Sequence, residues 1–469
     1  MPGLQVLVVG GSIGGLATAL ALRSQGHSVK VYEQTLVHDT LGAGVTVFPN
    51  VLSALQMLGV DLARVRATRV QQIKRSQIHA DGTVQDNTVD FDTKTWPWHN
   101  ATYQDLFTAL WEALDVDDSR RSGPKVEFHS LTQVCRLDPA NGVIYFADGS
   151  EAHGDVIIGA DGVHSVCRSF VFNGKTERFR LKRHVFRAMV PRERLIDDPR
   201  TVQFLMSSGQ AHSYHYQDKT LLVYPAADDQ VVCIKLFYDD STGFRNLSKD
   251  WRDPSSKTKM LRLAAGLPEE CIAVLEKIRD RDLLDQPIWD MDPLDTFQKH
   301  RLALVGDAAH PMPPYCGQRI AMALEDAVAL GVLLEPGLVA REVEERLKLY
   351  SRTRKVRAGA VQQTMRGLQE ISICDIWTSF DPTCFHAYVL NHDEQAYARQ
   401  ALGVWKQQRQ WLESDLSVDH LNADHQRPST PRSMLRGKGD GTTGNRRIPQ
   451  RKWWSVKMTN PRPWSKVFS

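Results

Sequence analysis

Residues 4–33 constrain the fold more than any other part of the chain. "LQVLVVGG" is a short apolar run with the look of a buried parallel strand, and "SIGGLATALALRSQGH" follows with Leu16, Leu20 and Ala21 at helical spacing. "SVKVYEQ" then returns to a strand that ends at Glu33, so the segment is a β-α-β unit with glycines at its first turn. There the chain must turn tightly and let a pyrophosphate approach the backbone N–H groups of a helix N-terminus. The dinucleotide pattern is G-x-G-x-x-G; here it reads Gly10, Gly11, Ser12, Ile13, Gly14, Gly15, with Ser12 in place of the middle glycine. Serine is small, and its hydroxyl can itself donate to a phosphate. Glu33 falls twenty-three residues after Gly10, about where an acid accepts hydrogen bonds from an adenosine ribose. A glycine-rich turn without a ligand is the plain alternative, and the fingerprint alone does not separate FAD from NAD(P).

At 469 residues the chain is too long for one core, so two or three domains are expected. Its 42% hydrophobic and 24% charged residues suit a soluble globular protein. Seven scattered cysteines with no Cys-x-x-Cys pair argue against a disulfide framework or structural zinc, and fit a reducing, cytoplasmic setting. No apolar run is long enough to span a bilayer, and the first one lacks the basic flank of a signal peptide. The net charge of +3 is uneven: residues 426–469 hold eleven Lys/Arg and one Asp in a Gly-, Pro-, Ser- and Thr-rich tail. That tail reads as disordered, or else as a basic, Trp-bearing contact for an acidic partner or membrane surface. No metal-ligand cluster is visible, and with the basic excess confined to the tail neither a metal hydrolase nor a nucleic-acid enzyme is expected.

Two further motifs decide the cofactor. "GDVIIGADGVHSVCR" (154–168) begins with a buried strand and turns at Asp161-Gly162. "RLALVGDAAHP" (301–311) is a third buried strand, ending at Asp307, where an α/β sheet places ligand contacts. In this order and spacing the three pieces resemble the class A flavoprotein monooxygenases, in particular the salicylate- and hydroxybenzoate-hydroxylase group, over about residues 4–400. "GAGVTVFPN" (42–50) and "VFRAMVPRERL" (185–195) are softer matches. The resemblance implies an α/β chain: a Rossmann-like FAD domain of glutathione-reductase type, an inserted antiparallel-sheet substrate domain and C-terminal helices. It also implies FAD as cofactor, NAD(P)H as electron donor without a second dinucleotide fold, and O2. Gly10, Ser12, Gly15, Glu33, Gly44, Val45 and Asp161 fall among its cofactor positions. Asp307 would accept from the ribityl hydroxyls, Pro314 and Gly317 would lie beside the flavin ring, and a helix from about Gln318 would aim Arg319 and Ile320 at flavin N1 and O2, where charge gathers on reduction.

Two positions depart from the family pattern. Arg319 stands where glycine is usual; its guanidinium would either stabilise the reduced flavin, turn to solvent or a neighbouring acid, or spoil the site. In "TYQDLFTALWEAL" (102–114), Tyr103 and Gln104 replace an arginine that relatives often aim at the pyrophosphate.

From 176 to 295 short strands alternate with polar turns, "TVQFLMS", "AHSYHYQ", "TLLVYPA" and "VVCIKLF", which predicts an antiparallel sheet roofing the flavin. His212, Tyr214 and Tyr216 share one strand face. The resemblance makes His212 and Tyr216 candidates to hold and deprotonate a phenol and Arg187 a candidate to orient an anion; ordinary strand polarity is the alternative. His310 is expected to hold the loop. The implied reaction is hydroxylation of a phenolic or other electron-rich aromatic small molecule through a flavin C4a-hydroperoxide, decarboxylative if a carboxylate lies ortho. Oxygenation or epoxidation of a larger secondary-metabolism intermediate, and a non-catalytic flavin-binding protein, are the alternatives. The expected organisation is an FAD domain of residues 1–75, 101–175 and 296–365, substrate-domain segments 76–100 and 176–295, helices over 366–412 and the tail from 413, as a monomer or homodimer.

Overall fold

The three motif-bearing strands lie side by side. The computed structural model describes residues 3–36, 43–90, 97–115, 124–173, 178–206, 208–239, 256–314, 317–367 and 386–424. A six-stranded sheet has the order Gln298–Lys299, Leu302–Leu304, Val156–Gly159, Gln5–Val9, Ser28–Tyr32, Glu127–His129. Every neighbouring pair in it is parallel except the first. The apolar runs at its centre are buried along their length, which is why they read as continuous rather than alternating hydrophobics. The first helix, Ile13–Ser24, packs on Tyr103–Asp115 and Gln318–Leu333.

A seven-stranded sheet has the order Leu284–Met291, Arg178–Pro191, Val231–Asp239, Lys219–Ala226, Gln210–Tyr216, Gln72–Ile78, Val84–Asp90. It is antiparallel except where Gln210–Tyr216 runs parallel to Gln72–Ile78, so the expected antiparallel sheet is in fact mixed. One face carries Phe186, Ala188, Val223, Ile234 and Leu236, packed with Met260, Cys271 and Val274 of the helices Lys257–Leu263 and Glu269–Glu276. The stretch expected as a strand at "TVQFLMS" is instead a 3-10 turn, Val202–Leu205. The Thr201 hydroxyl donates to the Leu195 carbonyl at 2.7 Å and the Val202 amide to Asp198, closing a turn where a ladder would need extended chain.

Behind the first sheet, Gln318–Leu333 is held to the helix Val343–Gly367 by buried charges. Arg354 donates to Asp326 and Glu325 at 2.8 and 2.9 Å and also to Glu394; Arg357 donates twice to Glu325, at 3.0 and 2.8 Å. Such a cluster is tolerable in the interior because every partner is present, and it fixes the direction of the Gln318 helix. Glu394 opens the helix Glu394–Asp424, which extends beyond residue 412, where the helical segment was expected to end. The chain divides into Met1–Gly403 and Val404–Ser469, and the basic tail lies outside the described residues. Among the described residues no helix is long and apolar enough to cross a membrane.

Candidate active site

The glycine turn is built so that nothing but glycine fits at two of its corners. Gly10 has φ +103°, and a Cβ there would meet the Ala160 carbonyl oxygen at 2.4 Å; at Gly15 it would lie 1.9 Å from the Gly10 oxygen. Ser12 precedes the helix with extended backbone, and its exposed hydroxyl caps no helix amide. Glu33 reaches back to the turn, accepting from the Gly11 amide at 2.8 Å and from the Thr35 amide and hydroxyl at 2.9 and 2.8 Å. Tyr103, which replaces the expected arginine, receives the Ile13 amide at the helix N-terminus. Burial, with Glu33 and Asp307 adding to it, pushes its hydroxyl up to about 12, so it meets that amide as a neutral phenol.

The second and third motifs meet across neighbouring strands. Asp161 is committed to its own turn: it accepts from the Ser165 hydroxyl at 2.6 Å and the Val166 and Cys167 amides at 2.7 and 2.9 Å. It therefore shapes the turn, and its oxygens are occupied by the chain. Arg168, almost fully buried, donates to the Asp307 and Ala308 carbonyls at 3.1 and 3.0 Å and to Val163 at 2.6 Å, pinning the acid-bearing turn to the second motif. His310 Nε2–H donates to the Asp326 carboxylate at 2.7 Å, and Asp326 also receives the Gly306 amide at 2.8 Å, which is the loop-holding role expected of it.

Gly317 opens the Gln318 helix at φ +64°, with a would-be Cβ 2.8 Å from that of Thr46. Ile320 and Pro314 are half-buried beside it. Of the expectations for Arg319, the structure takes the neighbouring acid, and that acid is Asp307. The Nε donates to Oδ1 at 3.1 Å and Nη2 pairs with Oδ2, so one guanidinium fork covers both carboxylate oxygens. Burial works against the Arg319 charge, but Asp307 outweighs it and raises the guanidinium above its usual value.

Above this floor a narrow cleft, partly open to solvent, is lined by Phe48, Trp98, Tyr224, Lys235, Phe237 and Pro314, among others. Strand parity sorts the roof residues. Leu222, Tyr224, Lys235 and Phe237 face the cleft, while Leu221, Val223, Ile234 and Leu236 face the hydrophobic layer. Gly44 is required beneath the roof, since a Cβ there would strike the Tyr224 hydroxyl at 2.4 Å and Cys233 Sγ at 2.6 Å; Val45 beside it is buried.

The expected catalytic pair falls differently. His212 borders the cleft, but its ring lies edge-on to Phe204 at 5.0 Å and stacked toward Tyr214 at 6.4 Å, among the residues of the hydrophobic layer. Burial, reinforced by Lys74, drops it to about 4, and Asp86 opposes only weakly. Tyr216 shares that face, packed against the hydrophobic layer and Gly266 with Lys219 over its ring, so His212 and Tyr216 are not brought together at the cleft. The period of two was right; which face looks at the cleft was not readable from it. Arg187 is on the cleft side, directly across from Lys235, and burial and Arg319 lower it to about 10. Ser213 and His215, 2.6 Å apart, are on the same side. Lys235 and Tyr224 were missed, although a lysine inside "VVCIKLF" is the kind of interruption that marks a polar position on a buried strand.

The residues present fit a dinucleotide: a cradle closed by glycine at a helix N-terminus, an acid at the second strand's end and a second acid at the third motif strand's end. A family model described as an FAD binding domain matches residues 3–365. Hispidin-3-hydroxylase of Neonothopanus nambi is 32% identical over 76% of this chain and 86% of its own length. 3-Hydroxybenzoate 6-hydroxylase of Klebsiella oxytoca is 32% identical over 71% of this chain and 80% of its own. The crystal structure of CtdE in complex with FAD and a substrate shares the fold, with a TM-score of 0.73 at 20% identity, covering 87% of this chain and all of that one.

Proposed function

The chain belongs to the FAD-binding-domain family, among its class A aromatic monooxygenases, and from that premise we propose how its residues divide the work. It is an FAD- and NAD(P)H-dependent monooxygenase: substrate, O2, NAD(P)H and a proton become hydroxylated product, NAD(P)+ and water. Bound FAD supplies the oxygen-activating chemistry, and the chain supplies position, charge and exclusion of water.

Gly10, Ser12 and Gly15 with the Ile13 amide would hold the pyrophosphate, Tyr103 yielding that amide on binding. Glu33 would take the adenosine ribose and Asp307 the ribityl hydroxyls. Gly44, Val45, Pro314 and Gly317 would flank the ring, with the Arg319 and Ile320 amides at its pyrimidine edge; Asp161 acts through the turn it organises. We assign the FAD domain, of glutathione-reductase type, to residues 1–71, 101–175 and 296–365, supported by a six-stranded sheet drawn from those stretches, with its first boundary earlier than the expected residue 75. The roof, from 176–295, also takes Gln72–Ile78, so that boundary moves back to Gln72.

The substrate class we infer is a phenolic aromatic small molecule, seated between Phe48, Trp98 and Phe237 with its anionic oxygen toward Arg187. The observation that carries this is the convergence of aromatic walls and a cationic roof over a floor that includes Pro314 and Gly317. The purified protein is expected to carry FAD, identified by its visible spectrum and by release on denaturation. With hispidin and 3-hydroxybenzoate heading a phenol panel, substrate should accelerate NAD(P)H oxidation and yield a ring-oxygenated product. A colourless protein that FAD does not reconstitute refutes the site assignment. A yellow protein whose products carry no ring oxygen refutes the substrate class.

A further inference from the structure

We propose that Lys235 is the base that takes the proton of the substrate's ring hydroxyl, with Arg187 beside it holding the oxide that forms; this rests on the monooxygenase reading above.

Lys235 sits mid-strand in Val231–Asp239, on the cleft side, register partner of Arg187 on one neighbouring strand and of Leu222 on the other. Its Nζ is 5.2 Å from the centre of the Tyr224 ring, and Tyr224, Phe237 and Trp98 line the same cleft. A ring in that cleft therefore meets the Lys235 amine, with the Arg187 guanidinium at the paired position of the adjoining strand.

The charged and titratable groups around it are few. Arg187 faces it from the adjoining strand. From the floor, Arg319 and Asp307 act on Arg187, with opposite signs. Tyr224 is kept protonated by burial, and Cys233, pushed up to about 12 by burial against the opposing charge of Lys235, remains a thiol, with Asp105 adding to the rise. Ser213 and His215 are on the next cleft-side strand, whereas Lys74 and Asp86 lie with His212 on the other face. Burial and Arg187 bring Lys235 down to about 7, so near neutral pH a large fraction is free amine. His212, by contrast, has its ring against Phe204 and Tyr214 on that face.

In the step, the O–H bond of the phenol breaks, its proton forms an N–H bond on Lys235, and the oxide pairs with Arg187. The extra electron density makes the carbons ortho and para to the oxide nucleophilic. One atom of O2 joins such a carbon, whose hydrogen passes to the ring oxygen as aromaticity returns. The other is reduced with the hydride electrons that NAD(P)H supplies and leaves as water; of the two protons the reaction takes up, one is that held by Lys235, which restores the amine, and one comes from solvent.

Lys235→Met and Lys235→Arg are compared with wild type as FAD-loaded protein, flavin retention reporting the fold. The first readout is the pH profile of kcat/KM for whichever panel phenol wild type hydroxylates; the second is ionisation of bound 4-nitrophenol, followed by nitrophenolate absorbance. Wild type should show an acidic limb near pH 7 and bind 4-nitrophenol as the anion. Both variants should lose the limb and about 10²-fold or more of kcat/KM, arginine failing because it keeps charge without accepting a proton. With methionine, bound 4-nitrophenol should stay neutral at pH 7. A variant that keeps the limb with a loss under about threefold overturns the proposal, as does unchanged ionisation of 4-nitrophenol in Lys235→Met. If wild type hydroxylates no phenol, the monooxygenase substrate assignment fails separately, and nitrophenol ionisation alone decides Lys235.

Discussion

Replacing Arg319 by alanine is expected to tighten the binding of oxidised FAD about fivefold. The guanidinium fork occupies both oxygens of Asp307, the carboxylate assigned to the ribityl hydroxyls, so cofactor and Arg319 compete for one acceptor. The pair is partly exposed, 37% for the arginine side chain and 20% for the aspartate. Solvent screening places such a pair at the upper end of surface ion pairs, about 1 kcal/mol, because it is bidentate. Arg187 nearby repels the same guanidinium and keeps the figure from rising further. About 1 kcal/mol corresponds to roughly fivefold in Kd. Alanine retains the backbone N–H in the first turn of the Gln318 helix, so only the side chain is tested. The assay is titration of apoprotein with FAD, followed by quenching of flavin fluorescence. Affinity that is unchanged or weaker in Arg319→Ala refutes the competition. A second quantity separates the roles: a guanidinium that moves to the pyrimidine edge on binding stabilises the reduced flavin, and its removal lowers the two-electron midpoint potential by about 20 mV per kcal/mol. An unchanged potential confines Arg319 to Asp307.

Three other changes probe the frame around the site. Gly15→Ala should abolish flavin retention, since its Cβ would sit 1.9 Å from the Gly10 oxygen; a yellow Gly15→Ala protein would show that the turn relaxes. Glu325→Leu leaves buried Arg357 without its acid and removes one of the three acids around Arg354, and should cost about 3–5 kcal/mol in denaturant unfolding, a loss below about 1 kcal/mol contradicting the buried-network account. His212 has its pKa lowered to about 4, so between that value and 6.5 the unfolded chain binds a proton the folded one does not. Stability is therefore lost as pH falls through this window, on the order of 2 kcal/mol between pH 7 and 5, and His212→Leu should remove that share of the slope.

Much of the cofactor half was legible because its signals are local. The turn at Gly10–Gly15, the buried strands ending at Gly159 and Leu304, and the helix beginning at Gln318 each follow from residues adjacent in sequence, through apolar runs, glycine geometry and helix spacing. Even the departures at Tyr103 and Arg319 were visible as letters out of pattern. What they touch was not, because Ile13 and Asp307 reach them only through packing.

The catalytic half was less legible for the same physical reason. A period of two groups His212 with Tyr216 and separates both from Ser213, yet it is silent on which group looks toward the floor. That was decided by the helices Lys257–Leu263 and Glu269–Glu276, which cover one face and leave Arg187, Tyr224 and Lys235 on the other. The "TVQFLMS" stretch was lost to a turn because the Thr201 hydroxyl bonds to Leu195, six residues upstream. The sequence by itself determined the nucleotide turn, its acid and the strand ends, since backbone geometry and short-range periodicity impose them. Only the tertiary structure decided the neighbours of Arg319 and the face of Lys235, since charge pairing and burial depend on residues brought together from distant parts of the chain.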